Sequence, residues 1–153
     1  MQKIKVLYLD NNEENLLTFK NTFSEFFNVQ IAMSENDANF ELHNGKSLIV
    51  LEHKNETSQK NLNLKTFALK HKNHLCILIT SSCNLEILDH AVEQGLIYKY
   101  VVKPYNVQEL VSVIEEGYTY FKLKQKEKLL RKELHATNKE IMKLLKEKIQ
   151  KSD

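Results

Sequence analysis

Punctuation is scarce in this chain. Its 153 residues include one proline, Pro104, and three glycines, Gly45, Gly95 and Gly117. Cysteine is scarcer still. Cys76 and Cys83 are too few for a disulfide framework, so a reducing, cytoplasmic location is expected. No apolar run approaches the roughly 20 residues needed to cross a bilayer, and no membrane role is expected. Met1-Gln2-Lys3-Ile4-Lys5 leads straight into a strand-like run, without a signal-peptide pattern. A Gly-rich phosphate loop is missing, as is any Ser-His-Asp order of the kind a hydrolase uses.

What is present suits a globular chain. The hydrophobic fraction of 42% is enough to form a core and excludes a disordered sequence. The length fits one compact domain with about thirty residues to spare. Charge is unevenly placed. Met1–Phe121 holds eleven Lys and fifteen Asp or Glu, a net of −4; Lys122–Asp153 holds ten Lys, one Arg and five acids, a net of +6. An acidic globule over residues 1–121 and a basic helical extension over 122–153 are therefore expected to do different jobs.

Ile4–Leu9, Val29–Met33, Leu48–Leu51, Leu75–Ile79 and Tyr98–Val102 are short apolar runs without clear alternation. They read as strands of a parallel sheet covered on both faces. Helical spacing lies between them. Leu16, Leu17, Phe19, Phe23 and Phe26 or Phe27 mark a first helix, Ser34 with Asp37 caps a second, and Leu62–Leu69 forms a third. Leu85, Leu88, Val92 and Leu96 mark a fourth helix, which Gly95 stops. A fifth starts near Asn106, after Pro104, and runs to the end of the chain.

This alternation predicts an α/β fold, a flavodoxin-like doubly wound sheet of five parallel strands in the order 2-1-3-4-5 with an extended C-terminal helix. Ligands of such sheets bind beyond the carboxyl ends of the strands. Asp10, Glu52, Thr80 and Lys103 all fall there.

The last helix carries a rough heptad seam. Leu123, Leu130, Thr137 and Leu144 repeat every seven residues, and Glu127, Leu134, Ile141 and Lys148 repeat likewise, offset by four. About forty residues at 1.5 Å each would span roughly 60 Å. An apolar stripe of that length calls for a partner helix, and a parallel homodimeric coiled coil with Leu123, Leu130, Leu134, Ile141 and Leu144 in its seam is expected. Tyr118, Tyr120 and Phe121 are expected to anchor the helix where it leaves the globule. Basic residues of the tail alternate with Glu127, Glu133, Glu140 and Glu147, the pattern of a solvated coiled-coil face. Without an aromatic stacking platform the tail is not expected to bind nucleic acid. His71, His74 and Cys76 are metal ligands by type, but Cys76 falls inside a strand and no fourth ligand is evident. His90 reads as a surface or half-buried residue of the fourth helix.

Together the strand-end residues resemble the phosphoryl-transfer pocket of response-regulator receiver domains, over about Lys3 to Tyr120. The resemblance rests on Asp10-Asn11-Asn12-Glu13, Glu52, Thr80-Ser81, the approach Gly95-Leu96-Ile97-Tyr98-Lys99-Tyr100, and Lys103-Pro104. It implies that Asp10 matches the first acid of a Mg²⁺ site and Glu52 the phosphoacceptor. Thr80 then matches the hydroxyl that tracks the phosphoryl group, and Lys103 the lysine that pairs with it. Pro104 is implied to follow a cis peptide bond, and Tyr100 matches the aromatic whose rotamer reports activation.

Departures from the family's pattern concern the chemistry. Asn11 stands where the principal metal-binding acid sits. Glu52 is one methylene longer than aspartate, and the loop His53-Lys54-Asn55-Glu56-Thr57-Ser58 lacks the usual proline and glycine. Mg²⁺ wants near-octahedral oxygen ligands including carboxylates, so binding through Asp10 and Glu52 is expected to be weak or lost, and no cofactor is expected. Glu52 either reaches Lys103 or Thr80 and imitates the phosphorylated state, or is a relic that switches nothing. Lys54 either fills the metal position beside Asp10 or points to solvent.

The expected function is a phosphorylation-independent pseudo-receiver in two-component-type signalling, without enzymatic activity, dimerising through its last helix. Its partner would be a signalling protein, either a histidine kinase or a separate output protein. No output domain follows the helix here, so the output lies on another polypeptide or the chain is part of a longer one. The alternative is a working phosphoacceptor in a histidine-kinase relay with Mg²⁺-dependent autodephosphorylation.

Overall fold

The computed structural model describes residues 3–34, 36–37, 48–53, 70, 73–81 and 85–151, with the backbone alone for 51–53. In chain order the described elements are β1 (Lys5–Leu9), α1 (Glu13–Phe23), β2 (Asn28–Ala32), β3 (Leu48–His53), β4 (Cys76–Thr80), α2 (Glu86–Glu93), β5 (Lys99–Val102) and α3 (Val107–Lys151). All strand pairs are parallel, and the sheet order is β2-β1-β3-β4-β5. That is the predicted 2-1-3-4-5 order. The predicted helix over Leu62–Leu69, the loop after His53 and Cys83 lie outside the described residues. Of the second predicted helix, its cap is described: the Asp37 N–H donates to Ser34 Oγ at 3.2 Å.

The chain divides into two compact units, Met1–Tyr118 and Thr119–Asp153. The core of the first explains why its strands read as unbroken apolar runs. Val6, Leu7, Leu48, Ile49, Val50, Ile77, Leu78 and Ile79 are all fully buried, with successive side chains pointing to opposite faces of the sheet. Edge strands β2 and β5 are only partly buried. One layer draws on Leu16, Phe19 and Phe23 of α1, and Leu88 and Ala91 of α2 join a cluster with Leu7, Leu9, Ile49 and Leu78. Leu110, Val111 and Ile114 give α3 its buried face.

Three stops and starts follow from single residues. Gly95 adopts φ +74°, with the Gly95 N–H donating to Val92 O and the Leu96 N–H to Ala91 O, both at 3.0 Å. This pair of bonds closes α2 as a Schellman motif, and a left-handed residue is what makes it possible. Asn106 opens α3 by accepting the Glu109 N–H on Oδ1 at 2.7 Å, as an N-cap should. The expected start near Asn106 is thus confirmed. The first helix stops at Phe23, earlier than its apolar spacing implies: Phe27 is buried beyond the helix end, and Leu17 is 51% exposed.

In the second unit, α3 continues to Lys151 as unbroken helix. Every seam residue on it is exposed: Leu123, Leu130, Leu134, Ile141 and Leu144 all show about half or more of their surface to solvent. Arg131 pairs with Glu127 at 2.6 Å, one turn back, and Lys124 Nζ lies 5.4 Å from the centre of the Tyr120 ring. Of the expected anchors, Tyr118 and Phe121 are half-buried and Tyr120 is exposed. No described helix is long and apolar enough to cross a membrane.

Candidate functional site

The carboxyl ends of β1, β3, β4 and β5 bring the strand-end residues together. Leu9 pairs with Leu51, so Asp10 and Glu52 are the next residues on neighbouring strands. Glu52 pairs with Ile79, His53 with Thr80, and Thr80 with Val102. Beyond β5 the Lys103 N–H donates to Thr80 O at 2.8 Å, extending the ladder by one residue and fixing the start of the Lys103–Pro104 segment against β4. The Lys103–Pro104 peptide bond is cis, as the resemblance implies. Thr80 is fully buried. The Glu52 side chain and the whole of Lys54 lie outside the described residues, so both readings of Glu52 and both of Lys54 stand as before.

Asp10 is the best-defined group of the site. It is 4% exposed, and its N–H still donates to Ala32 O at 3.1 Å although β1 ends at Leu9. Three donors converge on its carboxylate. Tyr8 Oη donates to Oδ2 at 2.9 Å, Asn15 Nδ2 donates to the same oxygen at 3.0 Å, and the Asn12 N–H donates to Oδ1 at 3.0 Å. Local sequence dictates each one. Tyr8 and Asp10 are two apart on a strand and therefore share a face; the Tyr8 ring stacks on Phe19 of α1 at 4.0 Å and 7°, which places its hydroxyl under the acid. Asn12 caps α1, accepting the Asn15 N–H on Oδ1 at 3.1 Å, and its own N–H closes an Asx-type turn onto Asp10. Asn15, in the first turn, then faces back toward the strand end. Glu13 and Glu14 in the same turn favour the helix N-terminus electrostatically.

Sequence reasoning found Asp10 but missed Tyr8 and Asn15. The period of two along β1 was the available signal for Tyr8; an aromatic inside an apolar run otherwise reads as core alone.

With Asp10 bonded in this way, the described residues do not fit a Mg²⁺ site. A carboxylate offers about four acceptor positions, and at least three of Asp10's are taken by the bonds just described. Asn11 adds no charge, and its neighbour Asn12 is committed to the helix cap. Among the described residues no group of three or more His, Cys, Asp or Glu is placed to hold a metal ion. His71 is outside the described residues, while Cys76 is buried and burial pushes its thiol up to about 12, leaving it protonated at neutral pH and a poor ligand or nucleophile.

Tyr100 sits on β5 opposite Leu78 and is half-buried against the α2 side of the core. Its Oη donates to Asp89 Oδ1 on α2. That bond holds the Tyr100 hydroxyl above its usual pKa, because ionisation would set two negative oxygens against each other. On the same strand Lys99 Nζ pairs with Glu116 of α3 at 2.9 Å, and this bond raises the Lys99 pKa. Tyr100 and Lys99 thus tie β5 to α2 and α3 respectively. His90 is exposed, with Nε2 2.9 Å from Gln94 Nε2 and Nδ1 3.8 Å from Glu93.

No protein-family model matches the chain, and no curated protein matches it by sequence. Solved structures do. A structure described as the adenylate cyclase from Rhodopirellula baltica superposes with a TM-score of 0.71 at 20% identity, over 86% of this chain and 98% of that one. The signal receiver domain of an HD domain-containing protein from Pseudomonas fluorescens Pf-5 gives 0.67 at 19% identity, over 82% and 94%. A response regulator receiver domain protein from Clostridium thermocellum gives 0.66 at 20% identity, over 78% and 98%. With the sheet order and the cis bond after Lys103, these likenesses establish that the chain has the fold of response-regulator receiver domains.

Proposed function

We infer that this chain is a signalling module of the two-component type that works by protein–protein contact and without phosphorylation. The observation that carries the reading is the committed Asp10 carboxylate. Phosphoryl transfer to a carboxylate depends on positioning and on neutralising the charge of the transferring group. Here the acid that would help hold the neutralising cation is bonded to Tyr8, Asn12 and Asn15. Asn11 and Glu52 stand where the receiver pattern has a metal-binding acid and an aspartate.

Output would pass through the face of α2, β5 and α3. Tyr100 and Asp89 couple two of those elements, and Ile87, 67% exposed on α2, offers an apolar contact. The exposed stripe Leu123, Leu130, Leu134, Ile141 and Leu144 supports a second copy as partner through a coiled coil, with a kinase or output protein on the Tyr100 face. This is a binding role in the cytoplasm, without enzymatic turnover.

Thr80 and Lys103 retain the receiver arrangement at β4 and β5, and this favours the second reading, a working phosphoacceptor. The two readings part on intact mass after incubation with Mg²⁺ and a small acyl-phosphate donor, beside an ordinary receiver as positive control. No mass addition is expected. A phosphoryl group added to the wild type and lost in Glu52→Gln or Asp10→Asn would replace the interaction module with a relay protein.

A further inference from the structure

We propose that Tyr8 is the residue that keeps divalent cations out of this pocket: its hydroxyl, with the Asn15 amide, holds the Asp10 carboxylate in the place a metal ion would take. The inference deepens the proposed function by naming what closes the pocket, and it rests on that reading only for its biological meaning.

The argument starts from the cost of burying a carboxylate. At 4% exposure Asp10 has lost nearly all its water, and an ionised acid in such a place must find compensation from donors or a cation. Donors from three different positions contribute to it. Tyr8 Oη at 2.9 Å and Asn15 Nδ2 at 3.0 Å both land on Oδ2, and the Asn12 N–H at 3.0 Å lands on Oδ1. A cation approaching Oδ2 would have to displace two of them.

Tyr8 is the harder to move. The residue is 3% exposed, and its ring stacks on Phe19 with centroids 4.0 Å apart, while Phe19 itself packs on Phe23 at 4.5 Å. Swinging the hydroxyl aside would break that aromatic stack, whereas Asn15 needs only a rotamer change at the edge of α1. A smaller apolar residue at position 8 would give Asp10 no such donor. Mg²⁺ gives up its water reluctantly, so a site already filled by fixed donors offers it little.

The experiment is a Mg²⁺ titration of the full chain by isothermal calorimetry, comparing wild type with Tyr8→Phe, which keeps the ring and its stacking. A double-mutant cycle with Asp10→Asn, read by denaturant unfolding, accompanies it. Expected results are no binding by the wild type in the millimolar range and binding at least tenfold tighter by Tyr8→Phe. In the cycle, Tyr8→Phe should lower the folded-to-unfolded ratio about tenfold, as loss of a hydrogen bond to a charged group implies, and this loss should shrink to a few-fold in the Asp10→Asn background, where the amide oxygen accepts only a weaker neutral bond. A merely structural Tyr8 would give the same loss in both backgrounds.

Three results would overturn the proposal: wild type binding Mg²⁺ as tightly as Tyr8→Phe, neither protein binding it, or no coupling between positions 8 and 10. Mg²⁺ binding by the wild type without phosphoryl addition defeats this inference alone. Phosphoryl addition to the wild type defeats the proposed function.

Discussion

At the residue scale, the two tyrosines of the site occupy opposite situations. Tyr8 is buried and donates to an acid that the fold has already desolvated; Tyr100 is half-buried and donates to Asp89, which stands exposed on α2. The second pairing has a pH consequence. Because the Tyr100 pKa is raised in the folded protein by the bond to Asp89, its contribution to stability is complete below the ordinary tyrosine value of about 10. It is lost as pH climbs above that value through the raised one. Asp89→Asn keeps the size of the acceptor and removes its charge. The expected outcome is a Tyr100 titration shifted down toward the ordinary range, followed by NMR of tyrosine labelled at the ring carbon bearing the hydroxyl. An unchanged titration in Asp89→Asn would show that Asp89 does not hold Tyr100.

At the element scale, α3 is seated by a close approach as well as by its apolar face. Gly117 is buried in the helix, and a Cβ there would stand 2.8 Å from Leu75 Cδ2 and 3.4 Å from two carbons of the Tyr98 ring. Replacing it with alanine would gain about 1 kcal/mol of helix propensity and oblige the flexible end of Leu75 to shift. The two effects oppose each other, and Gly117→Ala is expected to stay within about 1 kcal/mol of wild type. Gly117→Leu has no such escape, since its further atoms meet Tyr98 and the start of β4; destabilisation by roughly 1–3 kcal/mol is expected from overpacking. Urea unfolding of both variants measures this, and a Gly117→Leu protein as stable as wild type would show that α3 is not seated here.

Elements were also where the sequence was most legible. Fully buried strands such as Ile77–Ile79 announce themselves as unbroken apolar runs because both faces are covered. Gly95 and Asn106 mark helix boundaries through a left-handed φ and a cap that few other residues supply. The end of α1 was less legible, since Phe23, Phe26 and Phe27 continue an apolar pattern past the point where the backbone leaves the helix. The strand pattern placed Asp10, Glu52, Thr80 and Lys103 together at the carboxyl ends of the strands. The bonds of Tyr8 and Asn15 to Asp10 were hidden because they depend on which way side chains of two different elements turn. Spacing records that only weakly.

At the scale of the whole molecule, charge and apolar surface are unevenly divided along the chain. The stretch Met1–Phe121 carries −4 and the helical tail +6, with Lys132, Lys139 and Lys146 spaced by seven on the side of the helix away from the leucine seam. Leu134 and Ile141, 61% and 48% exposed, lie one heptad apart near the middle of that seam. In a paired helix each would be worth about 1.5–3 kcal/mol when buried, and a symmetric pair buries both of them twice. Leu134→Lys combined with Ile141→Lys removes all four contacts and sets like charges across the interface. Self-association of the proposed coiled coil is therefore expected to weaken by at least about a thousandfold, turning the proposed dimer into a monomer at micromolar concentration. Analytical ultracentrifugation of both proteins decides the matter. A monomeric wild type at the same concentration would leave the leucine stripe to a partner other than a second copy, and an equally dimeric variant would place the self-contact on the Tyr100 face instead.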